Sequence, residues 1–375
     1  MAARDELDGV GRSPVAVYGA TGHTGRLVAA ELAARGIEPV LVGRDRSALR
    51  GLPEAEGGRA PRVAALDDPR ALRAALAGSA VVINCAGPFA TSAEPLARAA
   101  LTVGAHYLDH AAEPPAIAHV FDTLQDRARA AGVVLVPGMS FYGATADLLA
   151  AVVADGLPTV DGVTVAYGVR GWRMTTASKR TAADLATRER LAYSDGSLRP
   201  STRGPAEVEF EFPAPLGRRQ VLRDHPSGEL VTIPRHVPTR AMEVLMTSDT
   251  FREDGVFTSE HVDAAARAGS EFTVVVRAGS GAGTRTGHLR GRDIYRTGAA
   301  ISVEAATALL GAAGSAPGGV RAAAEVFPAE KFLTRLRTLG VLTEYVVERR
   351  RRPAGGAGDP QRAAPGTGRA SSHSL

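Results

Sequence analysis

A glycine-rich heptad, Gly19-Ala20-Thr21-Gly22-His23-Thr24-Gly25, is the segment of this sequence best suited to hold a phosphate group. It follows an apolar run at residues 15–18 that predicts a buried strand, and it opens a helix predicted at about residues 22–35. Glycines allow a tight turn and close approach of the backbone to a pyrophosphate, which the N–H groups of a helix N-terminus attract. The spacing is usual in reductase-type dinucleotide domains. The loop residues that we predict to bind a dinucleotide are Gly19, Thr21, Gly22, His23, Thr24 and Gly25.

The residue after the second predicted strand, at residues 39–42, indicates which dinucleotide is bound. Arg44 lies nineteen positions beyond Gly25, where NAD-binding domains commonly carry Asp or Glu for the ribose hydroxyls. A guanidinium there can pair with a 2′-phosphate through two parallel hydrogen bonds, which favours NADP. The alternative is a solvated Arg44, with Asp45 as the ribose ligand. Asp67, after the third predicted strand, is a candidate contact on the adenine side or an exposed turn residue.

The fourth predicted strand, at residues 80–85, leads into Gly87, Pro88 and Phe89. Ligands of parallel α/β sheets lie beyond the carboxyl ends of the strands. Gly87 permits close approach of the backbone, and Pro88 constrains the path of the chain. We therefore predict that these three residues contact the nicotinamide half of the cofactor. Cys85, the only cysteine, is interpreted as a small buried apolar residue rather than a nucleophile.

Hydride transfer to a substrate also requires a proton, and His110, Ser140 and Tyr142 all follow strand ends on the predicted cofactor side. We select Tyr142 and His110 as catalytic candidates, since a phenol can donate to a developing negative charge and an imidazole can titrate near neutral pH. Packing or positioning is the alternative role of each. Residues 175–179 form a polar cluster that either caps a helix or holds an anionic substrate group. No metal site is predicted.

The order of predicted elements explains how these residues would meet. Apolar strands alternate with helices up to residue 137, which indicates a parallel sheet covered on both faces, of the doubly wound Rossmann type. Strand-like runs then follow at 163–169, 208–212, 229–233, 271–276 and 288–295. They predict an inserted, mainly antiparallel α+β domain. Helices at 301–310 and 329–339 are expected to pack back on the first domain. The predicted division is a dinucleotide-binding domain (13–150), a substrate domain (151–300), returning helices (301–348) and a disordered basic tail (349–375).

Composition excludes several other classes of protein. The 375 residues are 45% hydrophobic and 22% charged, with a net charge of +4, as expected of a globular protein. Residues 349–375 carry six arginines and one aspartate, so the rest of the chain is near neutral and no nucleic-acid partner is predicted. No apolar run is long enough to span a membrane. Residues 1–13 lack an apolar signal core, and we expect a cytoplasmic location.

The chain resembles the saccharopine dehydrogenase-like NADP-binding oxidoreductases, a group that includes trans-acting enoyl reductases. The matching segments are residues 19–25, 43–44, 84–89, 107–109, and 137–138 followed by Asp147. The resemblance implies a Rossmann domain with an inserted substrate domain, a C-terminal return to the first domain, and NADP as hydride carrier. The sequence departs from the family at residues 110–113 and 139–142, near the expected substrate position. The substrates of the family are therefore not carried over.

We predict an NADPH-dependent reductase that transfers hydride to a C=C, C=N or C=O bond of a small or carrier-bound metabolite. One alternative is a saccharopine dehydrogenase-type enzyme that forms C–N bonds reductively. The other is a non-catalytic NADP-sensing regulatory protein, which the absence of a Tyr-x-x-x-Lys pair favours and the elaborate second domain disfavours. Self-association into a homodimer is left open.

Overall fold

The computed structural model describes residues 14–56, 58–201, 204, 206–258, 262–281, 283–311 and 317–348. The predicted disordered tail, residues 349–375, and the amino-terminal segment, residues 1–13, lie outside this part of the chain. Within it, no helix combines the length and the apolar character that a bilayer span requires.

The first domain is built on a parallel sheet, which confirms the predicted α/β class. In the described residues this sheet has seven strands in the order β15-β6-β5-β4-β1-β2-β3. They are β1 (Val15–Tyr18), β2 (Pro39–Gly43), β3 (Arg62–Val63), β4 (Val81–Asn84), β5 (His106–Asp109), β6 (Val134–Val136) and β15 (Gly319–Val320). The strand order changes direction between β1 and β4, so their carboxyl ends form the crevice in which ligands of such sheets bind.

Helices connect these strands and cover both faces of the sheet. They are α1 (His23–Ala34), α2 (Arg46–Arg50), α3 (Pro69–Leu76), α4 (Phe89–Val103), α5 (Pro114–Ala130) and α6 (Ala144–Ala154). Strands β1, β2 and β4 are buried along their whole length. Such continuous apolar strands are expected where helices lie on both sides of a parallel sheet.

The second domain contains a larger sheet of mixed direction. Its central order is β10-β11-β12-β7-β13-β14-β16, and a β8–β9 hairpin attaches to β12. The strands are β7 (Val160–Arg170), β8 (Leu191–Ser194), β9 (Ser197–Pro200), β10 (Glu207–Glu211), β11 (Arg218–Leu222), β12 (Thr239–Thr247), β13 (Glu271–Ser280), β14 (Gly283–Arg292) and β16 (Leu342–Val347). The β7–β12 pair is parallel and the other pairs are antiparallel, so the predicted mainly antiparallel domain is confirmed.

The remaining helices link this sheet to the first domain. They are α7 (Thr176–Thr187), α8 (Glu229–Thr232), α9 (Ala264–Ala268), α10 (Ile294–Gly311), α11 (Ala323–Val326) and α12 (Ala329–Thr338). Helix α10 packs against α1, β4 and β5, whereas α12 packs against α6 and β16. The chain thus returns to the first domain along α10, and the boundary predicted at residue 300 falls inside this helix.

Two segments predicted as strands are wholly or partly helical. Residues 229–233 form α8 and the start of a 3₁₀ turn (Ile233–Arg235). A short run buried on all sides shows no periodicity that distinguishes a strand from a helix. The strand predicted at 288–295 ends at Arg292, because Asp293 has φ 54° and its side chain accepts a hydrogen bond from the Arg296 N–H at 3.0 Å, which starts α10.

Candidate functional site

The glycine-rich loop forms a turn that only glycine permits at two positions. Gly19 has φ 79°, and a Cβ there would lie 3.0 Å from the Ala86 Cβ. A Cβ on Gly25 would lie 2.1 Å from the Gly19 carbonyl oxygen. These approaches bring the ends of β1 and β4 and the first turn of α1 together at the crevice.

The N-terminus of α1 is suited to an anionic ligand. Gly22 is the N-cap residue, no side chain caps the helix, and its first turn has no acidic residue. The backbone N–H groups that a helix leaves unpaired at this end therefore remain for a ligand phosphate. Thr21, His23 and Thr24 lie beside this turn, and the His23 ring also packs edge-on against Tyr295, with 4.8 Å between ring centroids.

The structure separates the roles of Arg44 and Asp45. Asp45 is the N-cap of α2, and its carboxylate accepts a hydrogen bond from the Ala48 N–H at 3.0 Å. The Arg44 side chain is exposed. Both Arg44 and Asp67 act on the Tyr18 phenol: burial raises its pKa, Arg44 opposes that shift and Asp67 adds to it. Arg44 and Asp67 therefore lie near each other at the carboxyl edge of the first sheet, and Arg44 faces solvent where a phosphate could approach.

A cavity of about 650 Å³ lies between this carboxyl edge and the second domain. Its walls include five of the predicted site residues, which come from four different strand ends. They are Thr24, Gly87, Phe89, His110 and Tyr142. The cavity wall does not include the other predicted cofactor contacts of the glycine-rich loop and the strand ends, which are Gly19, Thr21, Gly22, His23, Gly25, Arg44 and Asp67. Pro88 follows Gly87 through a cis peptide bond and is not part of the cavity wall.

Tyr142 lines this cavity and has a hydroxyl group without a hydrogen-bond partner among the described residues. Its oxygen is buried. The ring packs edge-on against Phe141 and is tilted against Tyr167 and Trp172, with centroid distances of 4.8, 5.1 and 6.2 Å. Burial raises the pKa of the phenol well above its usual value, and Tyr295 and Glu229 raise it further. Tyr142 is therefore protonated at neutral pH and can donate to a ligand.

His110 does not have the predicted pKa. Its Nε2 lies 3.0 Å from the Ser302 Oγ, which donates its own proton to the Ala299 carbonyl. We therefore assign the proton to Nε2 and leave Nδ1 as an acceptor. Burial lowers the pKa of His110 to about 4. The expectation that this residue titrates near neutral pH is wrong, because the site removes water from the imidazole.

The polar cluster at the start of α7 caps the helix. Thr175 Oγ1 accepts a hydrogen bond from the Ser178 N–H at 3.1 Å, and Ser178 Oγ lies 3.1 Å from the Tyr295 hydroxyl. That hydroxyl also accepts from the Trp172 indole and donates to the Arg173 carbonyl, each at 3.0 Å. Of the two predicted interpretations, the structure supports capping.

A buried hydrogen-bond network holds the strand ends that carry the site. Asn84 Nδ2 donates to the Tyr107 hydroxyl at 3.1 Å, and Tyr107 donates to Asp109 at 2.9 Å. The other Asp109 oxygen accepts from the N–H groups of Ala111 and Gly138. Burial raises the pKa of Asp109 to about 6. This carboxyl group thus joins the loops that carry His110 and Tyr142.

Two residues of the second domain complete the site, and sequence reasoning missed both. Glu229 is fully buried and accepts from the Gly143 N–H at 2.7 Å and from the Tyr167 hydroxyl. It therefore fixes the backbone beside Tyr142 and the ring that packs on it. His225 lines the cavity with its ring 6.3 Å from that of Tyr142, and burial lowers its pKa to about 4. No local sequence signal marked either residue.

Comparison with known proteins identifies a related domain family and a similar fold. Residues 15–136 match the family model of the saccharopine dehydrogenase NADP binding domain. No curated protein matches the sequence. The fold is similar to that of apo saccharopine dehydrogenase (L-Glu forming) from Saccharomyces cerevisiae, with a TM-score of 0.59 and 13% identity over 90% of this chain and 100% of that chain. An amine dehydrogenase from Mycobacterium smegmatis matches 84% of this chain and 96% of its own, with a TM-score of 0.47 and 13% identity.

Proposed function

We propose that the protein is an NADPH-dependent reductase, from the premise that residues 15–136 match the family model of the saccharopine dehydrogenase NADP binding domain. It transfers hydride to a C=C, C=N or C=O bond of a small molecule. The observation that carries the proposal is the buried, unpartnered hydroxyl of Tyr142 in the wall of a cavity that also contains Thr24 and Gly87.

The described residues offer contacts to the phosphate groups and to the nicotinamide ring of the cofactor. The uncapped N-terminus of α1 binds the pyrophosphate, and Arg44 pairs with the 2′-phosphate. When bound, NADPH supplies a hydride from its nicotinamide ring. Gly87 and Phe89 bring that ring against the cavity, since both lie at the carboxyl end of β4 where it meets β1.

Within the cavity, Tyr142 holds the proton that balances the hydride. Its phenol donates to the oxyanion or carbanion that forms on the substrate, which is where a positioned acid contributes most. His110 is neutral and turns Nδ1, a hydrogen-bond acceptor, away from Ser302. Phe89, Phe141 and Trp172 line the cavity and limit the access of water to the reacting atoms.

The proposal is tested with NADPH that carries deuterium at the transferred position. Unsaturated thioesters, imines and ketones are offered in turn, and the products are examined by mass spectrometry. We expect one class to gain a single deuterium while NADPH is oxidised in equal amount. Tight NADPH binding without transfer to any class would instead support the NADP-sensing protein.

A further inference from the structure

We propose that the cavity takes a substrate with an extended, uncharged apolar body and a single polar end, and that it does not take an amino acid. This inference rests on the proposed function, because it names the substrate class of the same site. Three features of the cavity support it: the inner face of α7, the aromatic side chains of the opposite wall, and the interactions that the charged side chains already make within the protein.

The inner face of α7 carries its apolar side chains beside Ser178, Lys179 and Thr181, and it is only partly covered by protein. All five apolar side chains of the helix line the cavity: Ala177, Ala182, Ala183, Leu185 and Ala186. None of the helix's residues is buried. The residues that do not line the cavity, Thr176, Arg180, Asp184 and Thr187, form one stripe along the opposite side, as their spacing of three and four requires. An amphipathic helix stabilises a fold by burying its apolar face, so this face is suited to an apolar ligand.

An aromatic wall faces the same space. Trp172 and Met174 are buried there, and Phe251 stacks with Phe257, with ring centroids 6.4 Å apart. Phe257 is 46% exposed, the highest exposure of a large apolar residue in the described chain. Phe257 and Phe251 both line the cavity, so this exposed ring is continuous with its apolar wall. The apolar contact area thus continues from the nicotinamide side towards solvent.

The charged side chains of the cavity already interact with other protein groups, which leaves them few free hydrogen-bonding sites for the ammonium and carboxylate groups of an amino acid. Glu113 is the one carboxylate among the described lining residues, and it accepts from the N–H groups of Phe89 and Ala112 and from the Thr181 hydroxyl. Lys179 has an interaction of its own. Arg190 donates to the Arg223 carbonyl but keeps Nη1 buried without a partner in the described structure.

An amino acid in this cavity would bury an ammonium group whose one carboxylate partner among the described lining residues, Glu113, already accepts three hydrogen bonds. Burying an unpaired charge is far more costly than burying an apolar chain. Arg190 Nη1 can accommodate one acceptor group of a ligand, which is why the proposal allows a single polar end. The geometry therefore favours a long, largely apolar molecule whose reducible bond lies beside Tyr142.

The single tryptophan of the chain, Trp172, reports binding without any need for turnover. The NADP⁺-bound protein is titrated with 1-alkanols of six, eight, ten and twelve carbons, and Trp172 fluorescence is recorded. We expect the dissociation constant to fall about two- to fourfold for each added methylene, as burial of apolar surface dictates. L-Glutamate and 2-oxoglutarate should leave the fluorescence unchanged. The proposal would be overturned if alkanol affinity did not depend on chain length, or if L-glutamate or 2-oxoglutarate bound more tightly than the alkanols.

A pair of variants on one helix locates the binding surface. Leu185→Glu places a charge on the cavity face of α7, and Thr187→Glu places the same charge on the solvent stripe. We expect Leu185→Glu to weaken 1-dodecanol binding at least tenfold and Thr187→Glu to leave it unchanged, with NADP⁺ affinity retained by both. Ala183→Glu, at an exposed cavity position, repeats the test if Leu185→Glu lowers the melting temperature. Equal effects of the cavity and control variants would contradict the assignment of the cavity face of α7 as the binding surface. Alkanol binding without hydride transfer to any substrate would count against the proposed reductase activity alone.

Discussion

Tyr142 and Tyr295 line the cavity and Tyr167 packs on the Tyr142 ring, and the hydrogen bonds of the three hydroxyls decide which of them can supply a proton. The Tyr295 hydroxyl donates to the Arg173 carbonyl, and the Tyr167 hydroxyl donates to Glu229. The Tyr142 hydroxyl alone has no partner in the described part of the chain. A buried donor without an acceptor costs free energy of the order of 1–3 kcal/mol. A substrate that accepts this hydrogen bond would remove that cost.

Replacement of Tyr142 by Phe tests this role. The ring and its packing against Phe141 and Tyr167 are retained, so we expect the fold and NADPH affinity to remain. Turnover should fall roughly 10²–10⁴-fold, the usual contribution of a positioned general acid. The measurements are steady-state kinetics and a thermal melt. A decrease of only a few-fold would show that Tyr142 serves as packing, and bound water would then be the candidate donor.

The pH profile of turnover provides an independent check. The pKa of Tyr142 is raised, so the phenol stays protonated from acidic pH through pH 9, while the pKa of His110 is lowered to about 4, so its ring stays neutral above pH 6. Neither group changes charge between pH 6 and 9. We expect no inflection attributable to them in kcat over this range. An inflection near pH 6.5 that His110→Asn abolishes would return His110 to the role of titrating acid.

We predict that a single side chain, Arg44, also sets cofactor preference. Arg44→Ala should weaken NADPH binding by more than about tenfold and leave NADH binding nearly unchanged, because a charge-assisted contact to phosphate contributes roughly 1.5–3 kcal/mol. Arg50→Ala, at the exposed far end of α2, is the matched control and should alter neither affinity. Isothermal titration with both dinucleotides measures the difference. If the two cofactors weaken equally, Arg44 is not the phosphate ligand.

At the scale of elements, the turn between β1 and α1 makes different demands on its glycines. Gly22 is exposed, and a Cβ there would lie 3.2 Å from the Gly19 carbonyl oxygen. Gly25 is buried, and its Cβ would lie 2.1 Å from the same atom. The first position therefore faces solvent, and the second lets the helix pack closely against the turn that follows the strand.

This difference predicts opposite outcomes for two substitutions. Gly22→Val should fold but lose dinucleotide binding, since a branched side chain would fill the approach of the pyrophosphate. Gly25→Ala should lower stability, because the turn or the helix must shift to relieve the contact. Thermal melts with and without NADPH separate the two effects. Retained dinucleotide affinity in folded Gly22→Val protein would show that the cofactor binds elsewhere.

At the scale of the whole molecule, the chain after the second domain is integrated into both sheets. Helix α10 packs on the first domain, β15 extends the first sheet beside β6, and β16 forms the edge of the second sheet beside β14. The last described contact is the hydrogen bond from the Glu348 N–H to the Thr286 carbonyl at 2.9 Å.

Truncation after Glu348 should therefore leave the folded protein intact. The deletion removes residues 349–375, whose Arg, Pro, Gly and Ser content predicts disorder, and keeps β16 complete. We expect an unchanged melting temperature and NADPH affinity, with a net charge lowered by five. A large loss of stability would show that the deleted segment docks on the protein.

The sequence by itself determined the features whose causes are local. The apolar strands, the heptad from Gly19 to Gly25 and the position of Arg44 after β2 predicted a parallel dinucleotide-binding domain and its preferred cofactor. Tyr142 was selected as a candidate site residue because a residue that follows a strand end must lie at the carboxyl edge of the sheet. Each of these inferences depends on neighbours only a few positions away, or on the rule that parallel strands present the same ends together.

Only the tertiary structure decided the features that depend on distant neighbours. The apolar run at 229–233 suggested a strand but forms α8. The run is buried between the domains, so its sequence has no alternation of apolar and polar residues that would distinguish a strand from a helix. Glu229 and His225 reach Tyr142 from more than 80 positions away in the chain. The neutral state of His110 follows from the loss of water around its ring. Burial and long-range contact are properties of the packed chain, and no short segment contains them.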